Sequence, residues 1–405
     1  MCSCLNDTMS LSPTKKPVHE DNSHSSSSSS SLSLSSLPND AILRCLLGVP
    51  RSSHLNVSHV NKTFRSLVRS PEFKFHQIRS LLLRKDSVYV CFSYGDSGVF
   101  QWFTLRPFEI ENEKKKTIEY RLVPFSIPRP SNGFAFVPSD VLAVGSEIYF
   151  IGYNSKEDSD SYKDLWIFDT RSGNLTQGPS MKFHRRAYAA VEVVEGKIYV
   201  IGGEYKGAEE MRVEVFDPKT RIWSFAWEEK LPWLRSQFCA TLEGKVVTVH
   251  DRGYVIAVYD PRQGKREEMN VGKEMVETRR SVPDMLICVC AVENVLYGCF
   301  ISSGFMWFDI KRSVWTRLVM SESDYIFDVT DYFDVDAMVE YHGKLAVFWH
   351  HHKFSQEEKN YDSKCGLMAL DKVGGKIRGT IEWSGVVATN VPNYCKIEHC
   401  FAVSH

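Results

Sequence analysis

The 405-residue sequence predicts a mainly β chain, in which a β-propeller of about six blades runs from about residue 85 to the C-terminus behind a small α-helical segment. Three observations predict it. A similar stretch returns about every fifty residues, each return is a polar turn leading into an apolar run, and a second run follows that ends on an aspartate turn.

Residues 1–34 are dominated by serine, with an unbroken run from Ser25 to Ser31, and hold almost nothing apolar to offset the entropy of ordering. They are expected to form a disordered tail. Cys2 and Cys4 lack the second membrane signal that stable lipid anchoring needs, so they are read as free thiols. A serine-rich leader can imitate an organellar transit peptide, but Glu20, Asp21 and the shortage of arginine argue against that.

Residues 35–80 change pattern. Pro38 suits the first helical position, Asn39 and Asp40 favour the positive end of the helix dipole, and Ile42, Leu43, Leu46 and Leu47 form one apolar stripe, stopped by Gly48 and Pro50. A second helix is expected over Ser53–Val60, with Leu55, Val57 and Val60 apolar. A third is expected over Lys62–Arg69, with Phe64, Leu67 and Val68 in line and Ser70 and Pro71 at its end. Three helices in about forty residues cannot cover so many apolar side chains among themselves. The surplus predicts a partner.

Beyond residue 85 the repeats set the architecture. GSEIYFIG, EGKIYVIGG, EGKVVTVHD, ENVLYGCF and HGKLAVFWH align at Gly145, Gly196, Gly244, Asn294 and Gly343, with spacings of 51, 48, 50 and 49 residues. Each apolar run is continuous rather than alternating, as in a strand buried on both faces. The following strand ends at Asp169, Asp217, Asp260, Asp309 or Asp371, read as equivalent places where a carboxylate bonds turn amides, with Pro218 and Pro261 fixing the next φ. Trp223 and Trp315, with Leu175 at the matching place, are expected to open outer strands as wedges between blades. A weaker unit starts at Lys85 and is interrupted by a charged hairpin tip, Glu111 to Lys116. A single blade cannot cover its own two faces, so the units are expected to close into a ring of six, the first and last irregular, with the strand around His399 to Val403 completing closure.

Composition narrows the function. Forty-nine basic and 50 acidic residues leave a net charge of -1, which does not fit a dedicated nucleic-acid or membrane-surface binder. The 11 cysteines are odd in number and often lie in apolar runs, so they are read as reduced, buried thiols. No stretch of about eighteen apolar residues and no secretory signal are found. The expected location is cytoplasmic and/or nuclear, and the glycosylation-type sequons at Asn6, Asn56, Asn61 and Asn174 are read as chance.

On these residues, LPNDAILRCLLGVPRSSHLNVSHVNKTFRSLVRSPEF resembles an F-box, and the remainder resembles the plant-type F-box/kelch-repeat proteins. The F-box likeness rests on Leu37, Pro38, Asp40, Ile42, Leu46, Val49, Val57, Val60, Phe64, Leu67 and Ser70, with Phe64 where many F-boxes carry tryptophan. The kelch likeness rests on the period, the aspartate turn and the tryptophan, because the diglycine is intact only as Gly202 and Gly203. The resemblance implies a kelch-type propeller over residues 85–405 and a non-catalytic substrate receptor of a Skp–cullin–F-box ubiquitin ligase. Its helices would bind a Skp-type adaptor, and through it a cullin, while its propeller binds a target protein.

Leu37, Pro38, Ile42, Leu46, Val60, Phe64 and Leu67 are the candidates for adaptor contact; the alternative is that some pack the helices together or against the propeller. For the target, HRRAYAA and LRSQFCA offer Arg185, Arg186 and Arg235 in loops before inner strands. Arginine there can grip acidic or phosphorylated groups, stay solvated, or bond a neighbouring blade's carbonyl.

Other chemistry finds little footing. His350 and His352 share a strand face, but no third metal ligand is placed beside them, and a strand end running into a polar loop is the alternative. Cys288 and Cys290 also share a face and read as core, and no phosphate-cradling loop, nucleophile elbow or HExxH is present. No cofactor is expected. A kelch scaffold unconnected with ubiquitination and an oxidase-like propeller enzyme are the competing functions.

Overall fold

A computed structural model describes residues 37–403 apart from 48, 50–53, 71–72, 74–86, 95–98, 113–114, 129–137, 154–162, 184–188, 204–212, 227–237, 251–252, 272–283, 321–333, 352–359 and 393. Three short helices, α1 (Asn39–Leu47), α2 (His54–Val60) and α3 (Lys62–Arg69), precede 25 strands. The strands form six sheets, the six blades of a propeller.

In chain order, blade 1 takes β1 (Ser87–Tyr94), β2 (Phe100–Asn112) and β3 (Lys115–Phe125). Blade 2 is β4 (Pro138–Val144), β5 (Glu147–Tyr153), β6 (Leu165–Asp169) and β7 (Asn174–Gln177), and blade 3 is β8 (Ala189–Val194), β9 (Lys197–Gly202), β10 (Val213–Asp217) and β11 (Ile222–Phe225). Blade 4 is β12 (Phe238–Leu242), β13 (Lys245–His250), β14 (Val255–Asp260) and β15 (Lys265–Asn270), and blade 5 is β16 (Leu286–Val292), β17 (Val295–Phe300), β18 (Gly304–Asp309) and β19 (Val314–Arg317). A short strand, β20 (Val319–Met320), pairs in parallel with the outer edge of blade 6, which is β21 (Asp334–Tyr341), β22 (Lys344–His351), β23 (Asn360–Val373) and β24 (Lys376–Pro392). The last strand, β25 (Cys395–Val403), is the inner strand of blade 1.

The turns explain the repeat. At the tip of each first hairpin Gly145, Gly196, Gly244, Asn294 and Gly343 all take positive φ, which glycine adopts without steric cost and asparagine tolerates. In the outer hairpins of blades 2 to 5 the aspartate carboxylate accepts from the amide two residues on: Arg171, Lys219, Arg262 and Lys311 donate to Asp169, Asp217, Asp260 and Asp309 at 2.9–3.0 Å. Asp371 departs from this expectation. It lies within β23, opposite Arg378, because the ladder of blade 6 runs on to a turn at Gly374 and Gly375. The charged tip in blade 1 is likewise shorter than expected, since Glu111 and Lys116 are ladder partners and the strands meet at Asn112 and Lys115.

Adjacent blades meet through apolar faces and two indoles. Trp223 donates to the Pro179 carbonyl of blade 2 at 2.7 Å, and Trp315 donates to the Gly253 carbonyl of blade 4 at 3.0 Å. Leu175 packs beside Phe168 against the blade 1 cluster, the apolar counterpart of these wedges. The one intact diglycine has a steric cause: a Cβ on Gly203 would lie 2.6 Å from the Cβ of Ala189.

Closure joins the two ends of the propeller. β25 pairs antiparallel with β1 from Val403↔Ser87 to Cys395↔Tyr94, longer than the segment the sequence suggested. The inner strands β4, β8, β12, β16, β21 and β25 then contact one another in a complete ring. Removing residues 395–405 strips the inner strand from blade 1, taking away buried Cys395 and Val403 with half-buried Ile397, Cys400 and Phe401, and uncovers the side chains of β1 that pack with them. Lost apolar burial alone costs on the order of 5 kcal/mol, comparable with a domain's whole net stability. The expected outcome is loss of the cooperative β-sheet melting transition, followed by circular dichroism.

Candidate functional site

The helical segment is held by caps and by one small core. Pro38 stands just before α1 rather than inside it, and its carbonyl accepts from Ala41 and Ile42 at 2.9 and 3.1 Å. Asn61 caps α3 by accepting from the Phe64 amide at 2.7 Å, and the Ser70 hydroxyl accepts from the Phe73 amide at 3.0 Å. Ile42, Leu43, Leu46, Phe64 and Phe73 are buried together, with Val57, Leu67 and Val68 packed against them.

The seven candidate adaptor residues therefore divide. Ile42, Leu46 and Phe64 are buried in the core of the helices and Leu67 is half-buried, whereas Leu37, Pro38 and Val60 are exposed, Val60 by 66% and Leu37 by 39%. Among the described residues, Leu37 and Val60 are thus the large apolar side chains that the helical core leaves in water. Phe73, 1% exposed, escaped the sequence reading because it follows the Ser70–Pro71 helix stop. Its only signal was an aromatic residue amid polar neighbours.

Antiparallel alternation gives the propeller two unlike faces. The short first and outer hairpin turns lie on one; the longer connections between second and third strands, and between blades, leave from the other. Arg185, Arg186 and Arg235 belong to such connections and lie outside the described residues. The chain leading to Arg185 is anchored by Glu214, a buried carboxylate in β10 that accepts from the Lys182 amide at 2.7 Å. Asp284, just before β16, accepts from Ser302 and Ser303 of the short turn between β17 and β18 at 2.7 and 2.9 Å and so ties the end of the connection between blades 4 and 5 to that turn. Both were missed; Glu214 was visible only as a charge inside the apolar run VEVF.

His350 ends its strand side as expected, but it is buried. Its Nδ1 pairs with the carboxylate of Asp336, and its ring meets Tyr361 edge-on at 4.0 Å. Asp336 sits on a β-bulge in β21. His352 lies outside the described residues, among which no group of three or more His, Cys, Asp or Glu side chains is placed to hold a metal ion. Cys288 and Cys290 are core residues on one face of β16, and burial pushes both thiols up, away from the reactive thiolate.

The channel-lining strands carry a further pair of carboxyls. Asp140 on β4 and Glu192 on β8 are half-buried by exposure yet ringed by protein, and this desolvation raises each pKa to about 7. The Thr241 hydroxyl donates to Glu192 at 3.0 Å and partly offsets the shift.

A closed six-bladed propeller behind a capped three-helix docking module defines the substrate-adaptor class of protein, which pairs a docking module with a recognition domain. Residues 34–76 match the F-box domain model, and residues 102–388 match the FKB95 kelch-repeats domain model. An F-box/kelch-repeat protein of Arabidopsis thaliana is 39% identical over 400 residues, covering 92% of this chain and 97% of its own. Two further F-box/kelch-repeat proteins of that plant are 35% and 34% identical, covering 97% and 92% of this chain and 100% and 94% of theirs. The chain belongs to the F-box/kelch-repeat family.

The channel carboxyls set a pH dependence. Their folded pKa values of about 7 stand above the ordinary values near 4, so the native state holds more protons than the unfolded chain between those limits. Stability from this source is complete below about pH 4 and is lost as pH rises through about 7. Asp140→Asn with Glu192→Gln is expected to flatten the fall in Tm between pH 5 and pH 8, measured by thermal melts at a series of pH values.

Proposed function

We propose that this chain is the substrate-recognition subunit of an SCF-type E3 ubiquitin ligase. Its F-box docks on a Skp-type adaptor, and through it on a cullin, while its propeller holds a target protein for ubiquitination. The single observation that carries the reading is the division within the helices: Phe64, Ile42 and Leu46 satisfy an internal core, while Leu37 and Val60 remain as exposed apolar anchors. The loop-bearing propeller face, anchored by Glu214 and Asp284, is the surface on which a target is held. In this reading the chain works in the cytoplasm and/or nucleus and performs no chemistry itself.

The test is direct binding to a purified Skp-type adaptor. Leu37→Asp with Val60→Asp is expected to weaken binding at least about tenfold while helix content and propeller melting stay unchanged. Phe64→Ala, by contrast, removes a buried ring at a cost of about 3–5 kcal/mol and should unfold the helices along with binding. Failure of the wild-type chain, with its helices folded, to bind the adaptor would overturn the reading.

A further inference from the structure

Strands β2 and β3 outrun the blade that contains them. The pairing of β2 with β1 ends at Leu105↔Val88, but its pairing with β3 continues from Arg106↔Arg121 to Asn112↔Lys115. These seven further pairs make a two-stranded ribbon roughly 23 Å long. β2 runs toward the face of short turns, so the ribbon projects from that face. The chain from the F-box enters blade 1 at Ser87 on the same face, where Val403 pairs with it. The intervening residues, 74–86, span at most about 50 Å, which keeps the F-box within that reach of the base of the ribbon.

The two sides of the ribbon differ. Ile118, Tyr120 and Leu122 pack toward blade 6, with the Tyr120 ring 4.7 Å from Trp383. The other side carries Arg106, Phe108 and Ile110 from β2 and Glu119 and Arg121 from β3. Phe108 is 40% exposed, with the Arg121 guanidinium 5.7 Å from its ring centre. Arg106 and Arg121 are direct cross-strand partners, and like charges placed so destabilise a sheet. Among the described side chains of the ribbon, Glu119, 3.4 Å from Arg121, is the carboxylate set against them on that side.

Charge along the chain points the same way. Residues 37–86 hold nine Lys and Arg against three Asp and Glu, a formal charge of +6, whereas residues 87–405 hold 38 against 44, a charge of -6. The outer side of the ribbon is thus a basic, partly aromatic patch on an acidic propeller, at the end where the basic F-box segment is attached. Exposed arginine beside an aromatic ring is the composition of an interface anchor.

We propose that this outer side, centred on Arg106, Phe108 and Arg121, is a second contact for an acidic surface of the protein seated on the F-box, so that the adaptor bridges the helices and blade 1. The proposal rests on the reading that the F-box docks a Skp-type adaptor. A partner held at two places fixes the direction in which the propeller presents its target.

The experiment titrates full-length chain with purified Skp-type adaptor at low and high salt, and follows amide hydrogen exchange across residues 106–121. Arg106→Glu with Arg121→Glu is expected to weaken binding about tenfold at low salt and less at high salt, and the wild-type ribbon is expected to exchange more slowly in the complex. Arg171→Glu with Lys311→Glu, a matched reversal at exposed turn residues, should leave affinity unchanged. Should the arginine variant melt early, Phe108→Ala supplies the same readout without new charge. Equal affinity for the wild type and the ribbon variants overturns the proposal and leaves the F-box reading standing. Absence of wild-type binding removes both. Ribbon protection that grows with chain concentration in the absence of adaptor makes a second copy the occupant and also overturns it.

Discussion

The ladder between β25 and β1 is the interaction on which the propeller depends, because each blade is an antiparallel sheet whose two faces are buried only by its neighbours. A ring of blades left open would expose one face at each end of the row, with apolar side chains such as Val88, Val90 and Phe92 among those at risk. Pairing the C-terminal strand beside the first strand converts that row into a circle. The circle also ties residues near the end of the chain to the blade that the F-box enters, so the recognition domain is held together where the docking module is attached.

Within the ring, order is maintained by local chemistry repeated at a fixed interval. The aspartate turns of blades 2 to 5 are self-contained: each carboxylate is satisfied by an amide of its own turn, so hairpin geometry does not depend on the next blade. Contacts between blades are different in kind. The indoles of Trp223 and Trp315 place a large ring and a single directed hydrogen bond across the seam, which sets spacing and rotation together. Blades 1 and 6 lack this regularity and use longer strands instead, with Tyr120 against Trp383 at their junction.

The helical module and the propeller answer to different demands. In the helices, apolar side chains are shared between an internal core and an exposed surface. In the propeller, carboxylates serve position: buried Glu214 holds the connection between β7 and β8, buried Asp284 holds the short turn between β17 and β18, and Asp336 pairs with His350. Carboxylates that accept from backbone amides keep otherwise irregular chain in one place, and binding surfaces need that of their loops.

The repeat, the turn glycines, the aspartates and the F-box pattern were legible in the linear chain because each is a local rule: a turn demands its residue wherever the turn occurs. The blade count followed from the same periodicity. What no local rule reveals is which partner a side chain finds. Asp371 follows an apolar run as the other turn aspartates do, but the ladder of blade 6 carries it into a strand. Ile42, Leu46, Val60 and Phe64 are all apolar positions of expected helices, but packing buries three and leaves Val60 in water. The ribbon of blade 1 read as an interrupted repeat until pairing showed seven residue pairs beyond the blade. Periodicity and turn chemistry are properties of neighbouring residues, whereas burial, seam contacts and exposed surface arise only when distant segments meet.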